Sequence, residues 1–144
     1  MDWNIGAGAR TAWQECRGEP IEGQRAVCHV LVNRLHDGRW GDSLGEVVFS
    51  EYKGWFQFSG WNRDDPNRAK AFRLADNDPV LVSLAQMLGA ALIGEADPTG
   101  GATHYFNPKI VKAPSWVAGS LLRRVPPAIF CGQFGNQLFY RGVK

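Results

Sequence analysis

The stretch Ala12-Trp13-Gln14-Glu15-Cys16-Arg17-Gly18-Glu19-Pro20-Ile21-Glu22-Gly23-Gln24 decides the fold. It reads as the end of one helix and the start of the next. Gly18 suits a helix C-cap, where a left-handed backbone costs no Cβ clash. Pro20 suits the first turn of a helix, where its missing N–H would have no partner anyway. One carboxylic acid, Glu15, is thereby fixed beside a bend with other polar side chains close by, a suitable place for general acid/base chemistry.

Working outward, Ile5, Ala9, Ala12, Trp13 and Cys16 recur at helical spacing and predict a helix from about Ile5 to Arg17. At about 100° per residue, Glu15 falls on the border of that apolar stripe. From that geometry alone the favoured reading is a surface carboxylate flanking the core. Downstream, Ile21, Gln24, Cys28, Leu31 and Leu35 line one side of a helix expected from about Pro20 to Leu35. Its wide apolar arc marks it as the central helix. Glu22, His29 and Asn33 share the other side, where a lone histidine is expected to be solvated. Glu19, at the helix start, suits the positive end of the helix dipole.

Asp42 or Ser43 is placed to cap a short helix through Val48. An aromatic block follows, Tyr52, Trp55, Phe56, Phe58 and Trp61, interleaved with Gln57, Ser59 and Asn62 and lacking helical period. It suits a sugar-binding groove, since pyranose faces stack on rings, or equally a loop folded over its own rings. Further helices are expected around Arg68–Leu74 and from Asp78-Pro79 to Gly94, the latter striped by Leu81, Leu84, Ala85, Leu88 and Leu92. Asp97 to Gly101 reads as a tight loop, and Ala102 to Pro108 as a short extended segment. Ala128–Cys131 and Gln137–Tyr140 read as a small hairpin. The expected fold is α+β, mainly α: one domain, residues 1–144, of several helices with a small sheet.

At 144 residues the chain can build one real core, and 44% hydrophobic with 21% charged residues fits a soluble globular protein. A net charge of +2 is too weak to argue for nucleic acid. The N-terminus lacks the basic and apolar regions of a signal peptide, so synthesis in the cytoplasm is expected. The longest uncharged run, Pro79 to Gly94, falls short of the ~20 apolar residues of a membrane span, so no stable membrane association is expected. Cys16, Cys28 and Cys131 have no metal spacing, and Cys16 and Cys28 suit small core positions. The three histidines, His29, His36 and His104, are too scattered for a zinc site, which argues against a metal-dependent amidase. No metal and no cofactor are expected.

Four segments, in order, resemble the spore-cortex-lytic type of bacterial and phage cell-wall hydrolases. They are Glu15-Cys16-Arg17-Gly18-Glu19-Pro20 with Glu22-Gly23-Gln24, Ala26-Val27 and Val32-Asn33-Arg34; Gln57-Phe58-Ser59, extended by Trp61 and Asp65-Pro66-Asn67-Arg68 as in phage-type members; Gly101 through Pro108; and Gly135-Asn136 with Phe139-Tyr140. The resemblance implies a lysozyme-like fold and a peptidoglycan substrate. It implies Glu15 as the catalytic acid, and a glycan cleft lined by Glu19, Gln57, Phe58, Ser59, Thr103, His104, Tyr105 and Asn107. The chain departs from the family pattern at Gln14, at Cys16 and at Gln137, where a histidine is common.

The resulting expectation is cleavage of the glycan of peptidoglycan with Glu15 as general acid. Without a second catalytic carboxylate, Glu15 would then take the proton of the sugar's own C6 hydroxyl and leave a 1,6-anhydro end. A hydrolytic muramidase would need a second carboxylate, for which Glu19, Asp64 and Asp65 are the candidates. A non-catalytic wall-binding or tail protein is the rival outside enzymes. A monomeric lysin of phage type, acting on the wall after release or from the virion, is the expected setting.

Overall fold

The computed structural model describes residues 1–144. Helix α1 spans Trp3–Cys16, α2 Ile21–Asp37, α3 Leu44–Val48, α4 Pro66–Arg73, α5 Pro79–Leu92 and α6 Ser115–Ala118. Strands β1 (Glu51–Tyr52) and β2 (Trp55–Phe56) form a small hairpin. Strands β3 (His104–Phe106), β4 (Ile129–Phe134) and β5 (Gln137–Arg141) form an antiparallel sheet in the order β3-β5-β4. The architecture is mainly helical with small sheets, as the sequence led one to expect.

Helix starts follow their caps. Asp2 accepts a hydrogen bond from the Ile5 amide, Ser43 from Glu46, Asp65 from Asn67 and Asp78 from Leu81. Pro66 and Pro79 occupy first-turn positions of α4 and α5. The bend between α1 and α2 is built differently from the expectation. Arg17, in right-handed geometry, is the C-cap of α1, and the Glu19 amide closes the turn on the Cys16 carbonyl at 2.9 Å. Pro20 stands just before α2 with an extended ψ of 161°.

Helix α2 is the central element. Ala26, Val27, Cys28, Val30 and Leu31 are fully buried, packed against Ala9 and Ala12 of α1 and Leu81, Leu84 and Leu88 of α5. His29 corrects the sequence reading: it is 2% exposed, not solvated. The segment leaving α5 crosses that face of α2, and Glu95 accepts or shares a hydrogen bond with His29 Nε2 at 2.9 Å. A buried imidazole needs such a partner. Asp97 staples the same crossing, accepting from Asn33 Nδ2, Thr99 and Gly101.

The aromatic block divides. Phe58 and Trp61 enter the main core, where the Trp61 indole donates to Thr11 Oγ1 at 3.0 Å. Tyr52 and Trp55 stay exposed on the β1–β2 hairpin, which turns through Lys53 and Gly54 at φ 52° and 84°. Two successive positive φ values make the tight turn whose twist matches its strands.

Alternation along β3 splits the sheet's side chains between two faces. Tyr105 and Phe139 face the helices. His104, Phe106 and Tyr140 face away and, with Trp116 of α6, build a second, smaller core.

Candidate active site

Glu15 lies one residue from the end of α1, half-buried. Its Oε1 accepts a hydrogen bond from the Tyr105 hydroxyl on β3. Its Oε2 has no protein partner yet is not sealed from solvent. Burial raises the Glu15 pKa above the ordinary carboxylate value. The Tyr105 hydrogen bond and the Arg34 charge pull against that rise, and Asp65 adds to it. Burial, then the neighbouring Glu15 carboxylate, holds the Tyr105 phenol well above its usual value, so it stays a donor.

Arg34 is the cation behind this pair. It is buried, its Nε donates to the Thr103 carbonyl at 2.7 Å, and its guanidinium lies 4.6 Å from the Trp40 ring and 5.1 Å from the Phe58 ring. It forms no salt bridge. Its charge therefore acts on Glu15 through a medium of low dielectric, where it counts for more than at the surface.

Glu15 opens into a shallow depression of about 360 Å³, lined among others by Gln14, Glu19, Asn107, Ile110 and Gln137. Glu19 shares this depression, but both of its oxygens are taken. Oε1 accepts from the Asn136 backbone N–H at 2.8 Å and Oε2 from the Asn136 side-chain amide at 2.9 Å. Those bonds lock the β4–β5 turn onto the α1–α2 bend. Gly135 permits the approach: its φ is +62°, and a Cβ there would stand 2.7 Å from Glu19 Oε1 and 3.0 Å from Pro20 Cδ. Gln137 follows directly, 8% exposed, with an Oε1 that has no partner in the protein. A buried acceptor left unpaired costs free energy until water or a ligand fills it.

The residues named from sequence separate into three groups. Glu15, Glu19 and Asn107 line the depression, and Tyr105 bonds the acid. Gln57 and Ser59 are exposed and do not line it. Their segment abuts α1 next to the acid, where Gln14 Nε2 donates to the Gly60 carbonyl at 3.3 Å. Phe58, Thr103 and His104 do not line the depression either. Phe58 is 3% exposed in the core. The buried Thr103 spends its hydroxyl on His104 Nδ1 at 2.9 Å. His104 sits on the far sheet face between Trp40 and Trp116, where burial, then the charge of Arg34, pushes its pKa down to about 4. Arg34 carries no role in the sequence reading, because a cation on a helix reads as a surface residue. Ile110 gave no signal at all.

The chain's residues 18–140 match the sequence model of one family, described as Cell Wall Hydrolase. The chain belongs to the cell wall hydrolase family. The matched stretch of this cell wall hydrolase starts just after Glu15, so the place of the acid rests on the geometry above. The spore cortex-lytic enzyme of Halalkalibacterium halodurans is 31% identical over 124 residues, 85% of this chain and 33% of that protein. The Bacillus subtilis spore cortex-lytic enzyme is 29% identical over 124 residues, 85% of this chain and 35% of that one. The chain thus spans about a third of the length of these relatives. Among solved structures, the catalytic domain of the germination-specific lytic transglycosylase SleB from Bacillus anthracis superposes with a TM-score of 0.67 at 22% identity, covering 98% of this chain and 97% of that one. The catalytic domain of the Bacillus cereus SleB protein gives 0.66 at 25% identity, covering 96% and 89%.

Proposed function

We propose that this chain cleaves the MurNAc–GlcNAc bond of peptidoglycan as a lytic transglycosylase, with Glu15 as both acid and base. The observation that carries the reading is the state of the carboxylates around the depression. Glu15 alone combines a raised pKa with an oxygen free of protein partners. Glu19 is bound on both oxygens by Asn136, Asp65 caps α4, and Asp64 is exposed.

Protonated Glu15 donates its proton from Oε2 to the glycosidic oxygen as the C1–O bond breaks. The resulting carboxylate then accepts the proton of the muramyl C6 hydroxyl while O6 bonds to C1. The nucleophile is already tethered beside C1, so the reaction needs no activated water and its entropy cost is met in advance. Tyr105 keeps Oε1 occupied and so directs the proton to Oε2. Gln137 Oε1 and the Asn107 amide offer an acceptor and donors for sugar hydroxyl and N-acetyl groups. Exposed Gln57 and Ser59 lie on the segment that abuts α1 through Gln14, and the exposed rings of Tyr52 and Trp55 offer faces for sugar stacking.

The lytic transglycosylase name of a close structural counterpart supports this chemistry. Action on the wall from a phage setting rests on the segment Trp61 and Asp65-Pro66-Asn67-Arg68, which adjoins the site through the Arg17–Asn67 hydrogen bond of 2.8 Å. Mass spectrometry of peptidoglycan digested in heavy-oxygen water tests the mechanism. Unlabelled 1,6-anhydro-muramyl ends are expected. Labelled reducing ends would establish hydrolysis and require a second carboxylate to work.

A further inference from the structure

Asp97 is the last acidic residue of the chain. Beyond it stand Lys109, Lys112, Arg123, Arg124, Arg141 and Lys144, with no Asp or Glu among residues 98–144. None of the six is in a salt bridge. A nearly neutral protein therefore carries one strongly basic region.

That region holds an unusual tip. Ser120 and Val125 exchange both backbone hydrogen bonds at 2.8 Å, and Ser120 Oγ accepts from the Arg123 amide at 3.2 Å. The turn so pinned is Leu121-Leu122-Arg123-Arg124, with Leu121 100% and Leu122 96% exposed. A lone exposed leucine is ordinary. Two adjacent ones, held out of the fold by a hydrogen-bonded turn and followed by two arginines, have no partner within the chain.

At the base of the tip lies an open depression of about 600 Å³, lined by Ser115, Trp116, Ser120, Arg123 and Lys144 among others, with no Asp or Glu side chain. Two cations and two hydroxyls suit a phosphate oxyanion. The neighbouring apolar pair distinguishes which phosphate. A soluble phosphate or an anionic wall polymer has no apolar phase to receive leucines, whereas a bilayer surface presents phosphate above hydrocarbon. Tryptophan beside the depression is the side chain that favours that boundary.

We propose that the Leu121–Arg124 tip docks the protein reversibly on an anionic phospholipid surface. The leucines enter the interface, and Arg123 and Lys144 hold a headgroup phosphate. No helix is long and apolar enough to cross a membrane, so the contact is peripheral. Trp116 packs on the sheet face opposite Tyr105, so docking there leaves the Glu15 depression free.

Co-sedimentation with sucrose-loaded vesicles tests this on the whole chain. Vesicles of equimolar phosphatidylglycerol and phosphatidylcholine should bind the protein roughly tenfold or more better than phosphatidylcholine alone. Leu121→Glu with Leu122→Glu, and separately Arg123→Gln with Lys144→Gln, should each weaken binding by roughly tenfold. Both variants should keep the thermal midpoint and the rate of lysis of isolated walls. No binding to anionic vesicles would overturn the proposal. So would binding that the leucine variant leaves unchanged, which is plain electrostatic adsorption. Capture by purified, lipid-free walls that the leucine variant abolishes would assign the tip to the wall instead and equally overturn it.

Discussion

Replacing Glu19 separates a clamp from a catalyst. Its carboxylate makes two hydrogen bonds to Asn136, of 2.8 and 2.9 Å, across 117 residues of sequence. A hydrogen bond to a charged group contributes about 1.5–3 kcal/mol net, and partial exposure places these two at the lower end. Glu19→Ala should therefore cost about 3 kcal/mol. For a chain of this size that lowers the thermal midpoint by about 10 °C. Glu19→Gln keeps an acceptor for the Asn136 N–H. It turns an NH₂ toward the Asn136 side-chain amide, whose Oδ1 is already held by Lys109 at 3.0 Å. It should lose about 1 kcal/mol and keep turnover within a few-fold below its melting range. Calorimetry and wall-suspension turbidity, run on both variants, read the two effects. An unchanged midpoint with turnover lost by orders of magnitude in Glu19→Gln would refute the clamp and make Glu19 the second catalytic carboxylate.

Other outcomes follow from the same site. Glu15→Gln should abolish lysis. Its folded-state pKa is raised, so the wild-type acid is neutral in both states at low pH and becomes a stability cost as pH rises past the unfolded value. The variant should match wild type in acid and melt higher at neutral pH, by calorimetry; equal activity would reject the acid. Tyr105→Phe removes the bond that holds the Glu15 pKa down, so the alkaline limb of the pH–rate profile should move upward while turnover falls. Gln137→Leu fills the place of an unpartnered acceptor with apolar atoms, so stability should hold or rise while KM for muropeptide oligomers increases. EDTA should leave lysis intact, because no three His, Cys, Asp or Glu side chains converge as metal ligands; loss of activity restored by zinc would contradict this.

The helices were legible because their signals are local. Ser43 and Asp78 announced their caps, and the leucines of α5 its buried stripe. The acid's half-buried setting followed from counting around α1. What was hidden depended on long-range packing. His29 looked solvated because nothing near it in sequence shows that Glu95, 66 residues later, closes over it. Arg34 owes its burial to Trp40, Phe58 and the Thr103 carbonyl, drawn from three separate segments. Thr103-His104-Tyr105 reads in sequence as one lining strip, but strand geometry sends neighbours to opposite faces. Only Tyr105 meets the acid. Phe58, similarly, points inward between two exposed polar neighbours. The Lys53-Gly54 turn is not announced by the sequence, because Lys53 is an uncommon residue at a positive φ.

The hydrogen bond between Tyr105 and Glu15 joins residues 90 positions apart, and β3, which carries Tyr105, is paired only with β5 at Gln137–Arg141. During synthesis the ribosome releases the acid and every long helix well before it releases the strand that fixes the acid's hydrogen-bond donor. A nascent or clipped chain ending before β5 carries Glu15 without the strand pairing that places Tyr105 against it. Under the proposed function, lytic competence is thus coupled to completion of the fold.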